Sequence, residues 1–393
     1  MDDFLHNIQK NSPFYKKLWS NSPLDLSKLP IIDQEEFWDA NDWKDNTLLT
    51  DSNRSGVVFK SGGTTGRPKF SIFTKAEWHE FTKIFGESMD AVLDDGDRVA
   101  NMFYSGELYA SFLFIEKSLE QSKKETLTFP VAGSTSLKEM VKIINDYDIN
   151  VLAGVPTSLM ALAEYLLSEK IELKVTKILF GGESLFDDQR PLLNKAFNEP
   201  AIHSVGYASV DAGHLGGSMP HHSSKAHKVL DGTVMQIVDD EDNLITKPGV
   251  SGRLLMTNLT RTLMPIIRYP VGDLAEWIEP NTSFLILGRS NEGARVGPVT
   301  VNRDDLGSIF LQLEADINFQ LLIERIEGKD LLSICYVGQV DEAKALKLLL
   351  AQRKMLVDSI EKGLILTPKF VKVKELEKNA RTGKLKFVVD KRF

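Results

Sequence analysis

The sequence is short of cysteine, of basic excess and of long apolar runs, and each shortage removes a class of protein. Cys335 is the single cysteine among 393 residues, which excludes an internal disulfide and a cysteine-built zinc cage. Lys and Arg number 47 against 55 Asp and Glu, a formal charge of −8, whereas a dedicated nucleic-acid binder carries a basic excess. No apolar run approaches the ~18 residues of a membrane span. Met1-Asp2-Asp3-Phe4 lacks the basic and apolar regions of a secretory leader. The expectation is a cytoplasmic, reducing-compartment enzyme or binding protein with neither nucleic acid nor membrane as partner. The remaining composition, 42% hydrophobic and 26% charged, is ordinary for a globular chain, and the length has room for two domains.

What the sequence does have is a concentrated loop, Lys60-Ser61-Gly62-Gly63-Thr64-Thr65-Gly66-Arg67-Pro68-Lys69. Val57-Val58-Phe59 before it and Phe70-Ser71-Ile72-Phe73-Thr74 after it read as strands. Three glycines, three hydroxyls and two lysines thus share one turn. Glycines let backbone N–H groups face a bound anion, and the hydroxyls and lysines add donors and positive charge. This is the chemistry of a polyphosphate cradle. The nucleotide loop that ends in Gly-Lys-Ser/Thr and opens a helix does not fit, because no such triplet follows Gly62. On composition alone, a Gly/Ser/Thr hairpin loop without a ligand is the competing reading.

Along the chain, residues 1–52 mix short helical patterns with Pro13, Pro23 and Pro30 and read as an arm packed on the main body. Thr74-x-x-Glu77 is a capping box for a helix from Lys75 to about Val92. Strand and helix patterns then alternate: Asp97–Phe103, Glu107–Leu119, Leu127–Pro130, a helix capped by Ser136, Ile149–Ala153, Thr157–Ser168 and Val175–Phe180. Such alternation predicts an α/β architecture with a largely parallel, helix-covered sheet, whose ligands lie beyond the carboxyl ends of the strands. The turns Ser105-Gly106, Gly154-Val155-Pro156 and Gly181-Gly182-Glu183 should therefore face one crevice. From Asp231 the pattern becomes antiparallel, and beyond about Ser290 two helical and two strand-like stretches predict a small α+β domain. The expected division is residues 1–289 and 290–393.

The order of residues in the glycine-rich loop resembles the phosphate-binding signature of the adenylate-forming superfamily, and within it the phenylacetate-CoA ligase and coenzyme F390 synthetase branch. Further segments resemble that family's motifs in family order, from residue 60 to residue 384. The resemblance implies that Ser61, Gly62, Gly63, Thr64, Thr65, Gly66 and Lys69 hold the phosphates of ATP. It implies that Gly181, Gly182 and Glu183 line the adenine pocket, although the same triplet is also a common strand-to-helix turn. Gly206-Tyr207-Ala208-Ser209-Val210-Asp211 is similar to the family's Tyr-Gly-x-Thr-Glu motif. Carried over, Tyr207 stacks on adenine beside Ala208, and Asp211 binds Mg²⁺, while Val210 replaces a hydroxyl. Asp keeps the hard oxygen ligand that suits Mg²⁺, on a shorter arm. Tyr269-Pro270-Val271-Gly272-Asp273 resembles the motif whose aspartate binds both ribose hydroxyls, for which a carboxylate offers two acceptor oxygens. Arg289 resembles the arginine beside it, and Glu292 or Asn291 the hinge that follows. Arg381-Thr382-Gly383-Lys384 resembles the terminal signature whose lysine, here Lys384, reaches the reacting carboxylate and phosphate. Tyr104, Ser105, Gly106, Leu108, Tyr109 and Gly213 are the expected acid pocket.

The implied activity is ATP- and Mg²⁺-dependent conversion of a small, aromatic or other carboxylic acid to an acyl-adenylate, with transfer to an acceptor afterwards. The segment from Gly293 to Val299 departs from the family's hinge-loop pattern, which leaves CoA, a carrier protein or an amine open as acceptor. A homodimer is also an admissible assembly. Two other classes remain on the residues alone: a nucleotide-binding regulator, since Val210 and Val271 replace two hydroxyls, and a kinase. Five of seven histidines, His203, His214, His221, His222 and His227, cluster near Tyr207; their irregular spacing makes a solvated loop or an acyl-pocket histidine the preferred reading over zinc. Cys335 sits in an apolar strand pattern, where cysteine acts as a small core residue rather than an acyl carrier.

Overall fold

The computed structural model describes residues 1–52, 55–60, 69–185, 189–239, 241–289, 294–301, 303–315, 317–377 and 387–392, with the backbone alone at 289, 300, 303 and 304. Three helices open the chain, Asp2–Asn11, Pro13–Leu18 and Gln34–Asp39. Ser12 and Asp33 cap the second and third by accepting from the N–H of Tyr15 and Glu36, which satisfies donors that helix geometry leaves open. The arm is anchored by buried aromatics: the Tyr15 hydroxyl donates to Pro265 O at 2.8 Å, and Trp38 Nε1 to the Tyr269 hydroxyl at 3.0 Å.

The strands Gly56–Lys60 and Phe70–Thr74 pair antiparallel with Lys60 opposite Phe70, so the glycine-rich loop spans a hairpin. The helix Lys75–Met89 follows with both halves of its capping box formed: Glu77 N to Thr74 Oγ1 at 3.1 Å, and Thr74 N to Glu77 Oε2 at 2.8 Å. Glu77 also accepts from Thr262 N and Leu263 N, at 2.6 and 2.7 Å. One side chain therefore fastens the helix start to a loop 185 residues away in sequence.

The predicted parallel sheet has five strands, in the order Leu127–Pro130, Arg98–Asn101, Val151–Gly154, Lys177–Phe180, Ala201–Ser204. Its central strands are buried along their whole length, as strands covered on both faces are, with the buried Lys177 paired to Asp97 at 2.6 Å. A second sheet of seven antiparallel strands follows from Tyr207 to Arg289. Beyond it, the hairpin Ala294–Val296 and Val299–Val301 and a four-stranded sheet share a core with the helices that cover them, containing Leu306, Phe310, Leu332 and Leu349.

Several boundaries differ from the sequence reading. The helix expected from Glu107 begins at Ser111, because Glu107 and Leu108 stand at φ of 49° and 64°, a left-handed conformation no right-handed helix contains. The strands Ala201–Ser204 and Gly213–Ser218 were not foreseen, the former because His and Ser interrupt its apolar pattern. A further helix, Lys354–Glu361, closes the small core.

Candidate active site

Phe180 ends its strand and the chain turns through Gly181-Gly182-Glu183. A Cβ on Gly181 would lie 2.5 Å from Val205 Cγ2, and Gly182 stands at φ +76°; only glycine satisfies the first position without displacing Val205. Glu183 turns back to accept from Thr157 N at 3.1 Å and Thr157 Oγ1 at 3.0 Å. It thereby caps the helix Pro156–Glu169, whose N-terminal dipole favours a carboxylate. Burial raises the Glu183 pKa above the usual carboxylate range, opposed by the Arg295 guanidinium and by the Thr157 bonds.

This turn forms one wall of a cavity of about 360 Å³. Tyr207, Ala208 and Asp273 lie on the same cavity, although 66 residues separate Tyr207 from Asp273. The Tyr207 hydroxyl donates to Asp273 Oδ2, and its ring lies 5.6 Å from the His227 ring and 6.3 Å from the Phe284 ring. Asp273 sits inside the long strand Ile266–Glu279 rather than in a terminal turn, just after Gly272 at φ +83°, where the ladder with the strand Ser251–Asn258 is irregular. Its cross-strand neighbour is Arg289. His227 is buried, with Nδ1 3.0 Å from Lys225 O, and burial lowers its pKa to about 4; the ring beside Tyr207 is neutral.

A second cavity of about 340 Å³ shares Gly182, Glu183, Gly206, Ala208, Ser209, Val271 and Arg295 with the first. Its walls are aromatic. Phe81 stacks on Phe114 at 4.5 Å and on Phe73 at 5.5 Å, Phe85 meets Phe114 at 4.6 Å, and Trp78 lies 4.9 Å from Phe59. Lys60, Lys69 and Asp211 also lie on this cavity, so both ends of the glycine-rich hairpin and the acid of the Tyr207 segment converge there. Arg261, 1% exposed, fixes Asp211 from behind: Nη1 donates to Asp211 O at 2.6 Å and Nη2 to Ile72 O at 3.2 Å.

The structure therefore gathers Gly181, Gly182, Glu183, Tyr207, Ala208, Asp273, Lys69 and Asp211 around two adjoining cavities. Ser61, Gly62, Gly63, Thr64, Thr65, Gly66 and Lys384 lie outside the described residues, as does the Arg289 side chain. Of the expected acid pocket, Tyr104 and Tyr109 line the aromatic cavity. Leu108 is 57% exposed, and neither it nor Ser105 nor Gly106 is among the lining residues; the left-handed turn at 107–108 carries this stretch outward. Gly213 is packed on Asn258, whose Nδ2 a Cβ would approach to 2.6 Å, and does not reach the cavity. Trp78, Phe81 and Phe85, which also line this cavity, sit three and four apart on one helix. That aromatic stripe was the legible signal.

The donor set fits a magnesium ion held mainly by substrate. Among the described residues no three His, Cys, Asp or Glu side chains converge as a metal cage. Mg²⁺ in nucleotide sites takes one or two carboxylates plus phosphate oxygens, and Asp211, on the cavity that carries Lys60 and Lys69, is placed to supply one. Two of the clustered histidines are engaged elsewhere: His214 Nε2 lies 2.9 Å from Asp231 O, and His227 meets Lys225 O. Cys335 is buried in the strand Lys329–Val337.

The parallel sheet thus opens at its strand ends onto a crevice beside an antiparallel sheet and a small α+β body. No family model matches the chain. Phenylacetate-coenzyme A ligase of Pseudomonas putida is 22% identical over 320 residues, covering 77% of this chain and 69% of that protein. Indoleacetate–lysine synthetase of Pseudomonas savastanoi is 25% identical over 254 residues, covering 63% and 59%. Among solved structures, 2-hydroxyisobutyryl-CoA ligase with 2-HIB-AMP and CoA in the thioesterification state aligns with TM-score 0.72 at 16% identity, over 99% of this chain and 89% of that one. The same ligase in the postadenylation state aligns with TM-score 0.60 at 16% identity, over 100% and 90%. The chain is therefore similar to phenylacetate-CoA ligases over about three quarters of its length, and it shares its fold with a solved CoA ligase.

Proposed function

We propose that this protein activates a carboxylic acid with ATP, forming an acyl-adenylate and pyrophosphate, and then passes the acyl group to an acceptor. The observation that carries the reading is the Tyr207–Asp273 pair on the same crevice as the Gly181–Glu183 turn, sharing a wall with an aromatic cavity that holds Lys60, Lys69 and Asp211. In this reading Tyr207 and Gly182 take adenine, Asp273 and Arg289 take the ribose, and the loop from Ser61 to Lys69 takes the leaving pyrophosphate. Asp211 would hold Mg²⁺, which supplies charge neutralisation at the phosphates.

One carboxylate oxygen of the acid adds to the α-phosphorus. The bond from that phosphorus to the bridging oxygen breaks, and pyrophosphate leaves with the electron pair. No side-chain nucleophile is needed; the rate comes from holding the reactants in line and from cations placed where charge develops. Lys384 is assigned that cationic role, on a small domain that begins near residue 290. The phenyl and indole rings of the cavity favour a flat apolar acid through stacking and edge contacts.

CoA is the proposed acceptor. Its thiol sulfur adds to the acyl carbon, the carbon–oxygen bond to AMP breaks, the phosphate oxygen keeps the pair, and the thiol proton passes to solvent. The arrangement of the two bodies seen here supports this step, since it aligns better with the thioesterification state of the CoA ligase than with its postadenylation state. An amine acceptor is the second reading, favoured by the indoleacetate–lysine synthetase likeness. A regulator without catalysis gains no support, because Val210 and Val271 remove two hydroxyls while Asp211, Asp273 and Lys69 remain in place. Magnesium-dependent ATP–pyrophosphate exchange over a panel of acids tests the proposal. Exchange lost in Lys384→Ala with ATP binding kept supports it; tight ATP binding without exchange on any acid would overturn it.

A further inference from the structure

Arg295 ties the small body to the adenine-side turn. Its Nη2 donates to Gly182 O at 2.9 Å and its Nε to Gly297 O at 3.1 Å, so one guanidinium joins its own hairpin to the wall of the crevice. Gly297 stands at φ +52°, and a Cβ there would lie 2.6 Å from Ile365 Cγ2 and 3.5 Å from Thr157 Cγ2. The hairpin tip is thus wedged between the small core and the residue that holds Glu183. Behind it, Gly297 N donates to Asp330 Oδ2 at 2.9 Å. Asp330, 5% exposed, also accepts from Arg325 Nη1 at 2.8 Å and Arg392 Nη1 at 2.5 Å. A buried carboxylate bonded to two guanidinia is costly to disturb, so the hairpin is held on a rigid base.

Among the described residues, two further charged contacts are seen across the seam, and both are weak. Lys329 Nζ is 3.8 Å from Glu164 Oε2 with both side chains partly exposed, a pair that contributes little in water. Lys362 Nζ lies 6.0 Å from the Tyr104 ring, at the outer limit of a cation–π contact. Of these contacts among the described residues, the Arg295 clasp is the shortest.

We propose that Arg295 is a positioning residue for the acyl-transfer half-reaction. Backed by Gly297 and Asp330, it holds the small body in the arrangement seen here from the rim that both cavities share, and its hydrogen bonds run to the carbonyls of Gly182 and Gly297 rather than to a reacting group. The proposal rests on the activity proposed above and on assigning this arrangement to transfer.

The full-length Arg295→Gln, Arg295→Lys and Gly297→Ala proteins test it, with three readouts. Adenylate formation is read by hydroxylamine trapping, transfer by CoA-thioester formation, and the seam by amide hydrogen exchange over residues 177–185 and 294–301 in the ligand-free protein. Losing a charge-assisted hydrogen bond should slow transfer about ten- to a hundredfold while trapping stays within about twofold of wild type. Exchange should quicken in both segments, Arg295→Lys should recover part of the loss, and Gly297→Ala should repeat the pattern without altering charge. Trapping and transfer falling together would overturn the clasp, as would unchanged exchange in Arg295→Gln. If wild type traps an adenylate but makes no thioester, or activates no acid, the activity reading fails instead, and the exchange measurement alone decides the clasp.

Discussion

Replacing Arg261 with methionine should destabilise the large body by about 3 kcal/mol, a figure that follows from its partners. Burial lowers the guanidinium pKa to about 10, with Glu77, Asp211 and Tyr15 opposing the fall, so the group is charged at neutral pH. It donates to Asp211 O and Ile72 O and lies 4.2 Å over the Phe73 ring. Hydrogen bonds from a charged donor contribute ~1.5–3 kcal/mol each, which sets a gross loss of ~3–6 kcal/mol for the pair. Arg261 Nε meets no acceptor among the described residues, a cost that methionine removes, and methionine refills much of the volume; both move the net toward the lower bound. All five tryptophans precede residue 290, so their fluorescence during equilibrium denaturation reports this body. Arg261→Lys, able to reach one carbonyl, should lose about half as much. A loss below ~1 kcal/mol in Arg261→Met would refute the reasoning, by showing that the two carbonyls find other donors.

Acid should weaken the fold through His214 and His227. Each has a folded pKa of about 4 because burial disfavours the charged ring, against ~6.5 in the unfolded chain. The unfolded state therefore binds protons first as pH falls, and each ring takes away roughly 3 kcal/mol between about pH 6.5 and 4. Denaturation midpoints across that range should fall steeply in wild type and less so in His227→Gln; a parallel slope would contradict the assignment. Trp78→Ala, which opens the aromatic cavity beside Phe59, should raise KM for a compact aromatic acid ~3–10-fold through lost ring contacts and improve bulkier acids, with unchanged preference as the contrary result in a substrate panel. Asp273→Asn keeps an acceptor for the Tyr207 hydroxyl but loses the charge, and should raise KM for ATP by about tenfold or more; steady-state kinetics showing an unchanged KM would remove Asp273 from the ribose.

Local chemistry made much of this architecture legible before any coordinates. Thr74 and Glu77 announce a helix start by a reciprocal pair of hydrogen bonds, and the structure forms both. Ile149–Ala153 and Val175–Phe180 read as strands of a helix-covered parallel sheet because helical patterns alternate with them, and the structure pairs Val151–Gly154 with Lys177–Phe180 in parallel. Gly272 and Asp273 are legible as a unit but not as a mid-strand irregularity, since register is set by pairing with the strand Ser251–Asn258 rather than by the two residues themselves. The stretch from Tyr104 to Tyr109 divides between the aromatic cavity and the surface. Tyr104 and Tyr109 reach the cavity, but Leu108 and Gly106 are turned outward by left-handed backbone at 107 and 108. Phe81, Phe114 and Phe73 meet only after two helices and a hairpin have packed. Arg261 and Asp330 carry no motif at all; each is defined by carbonyls, carboxylates and guanidinia from distant segments.

The central claim is that one ATP lies across segments distant in sequence and is cleaved between its α- and β-phosphates by an incoming carboxylate. Quantifying nucleotide and phosphate products with magnesium ATP and a set of aryl acids tests it most directly. The account predicts equal amounts of AMP and pyrophosphate with at least one flat apolar acid. Accumulation of ADP and phosphate, or no turnover with any acid in a protein that binds ATP tightly, would contradict it.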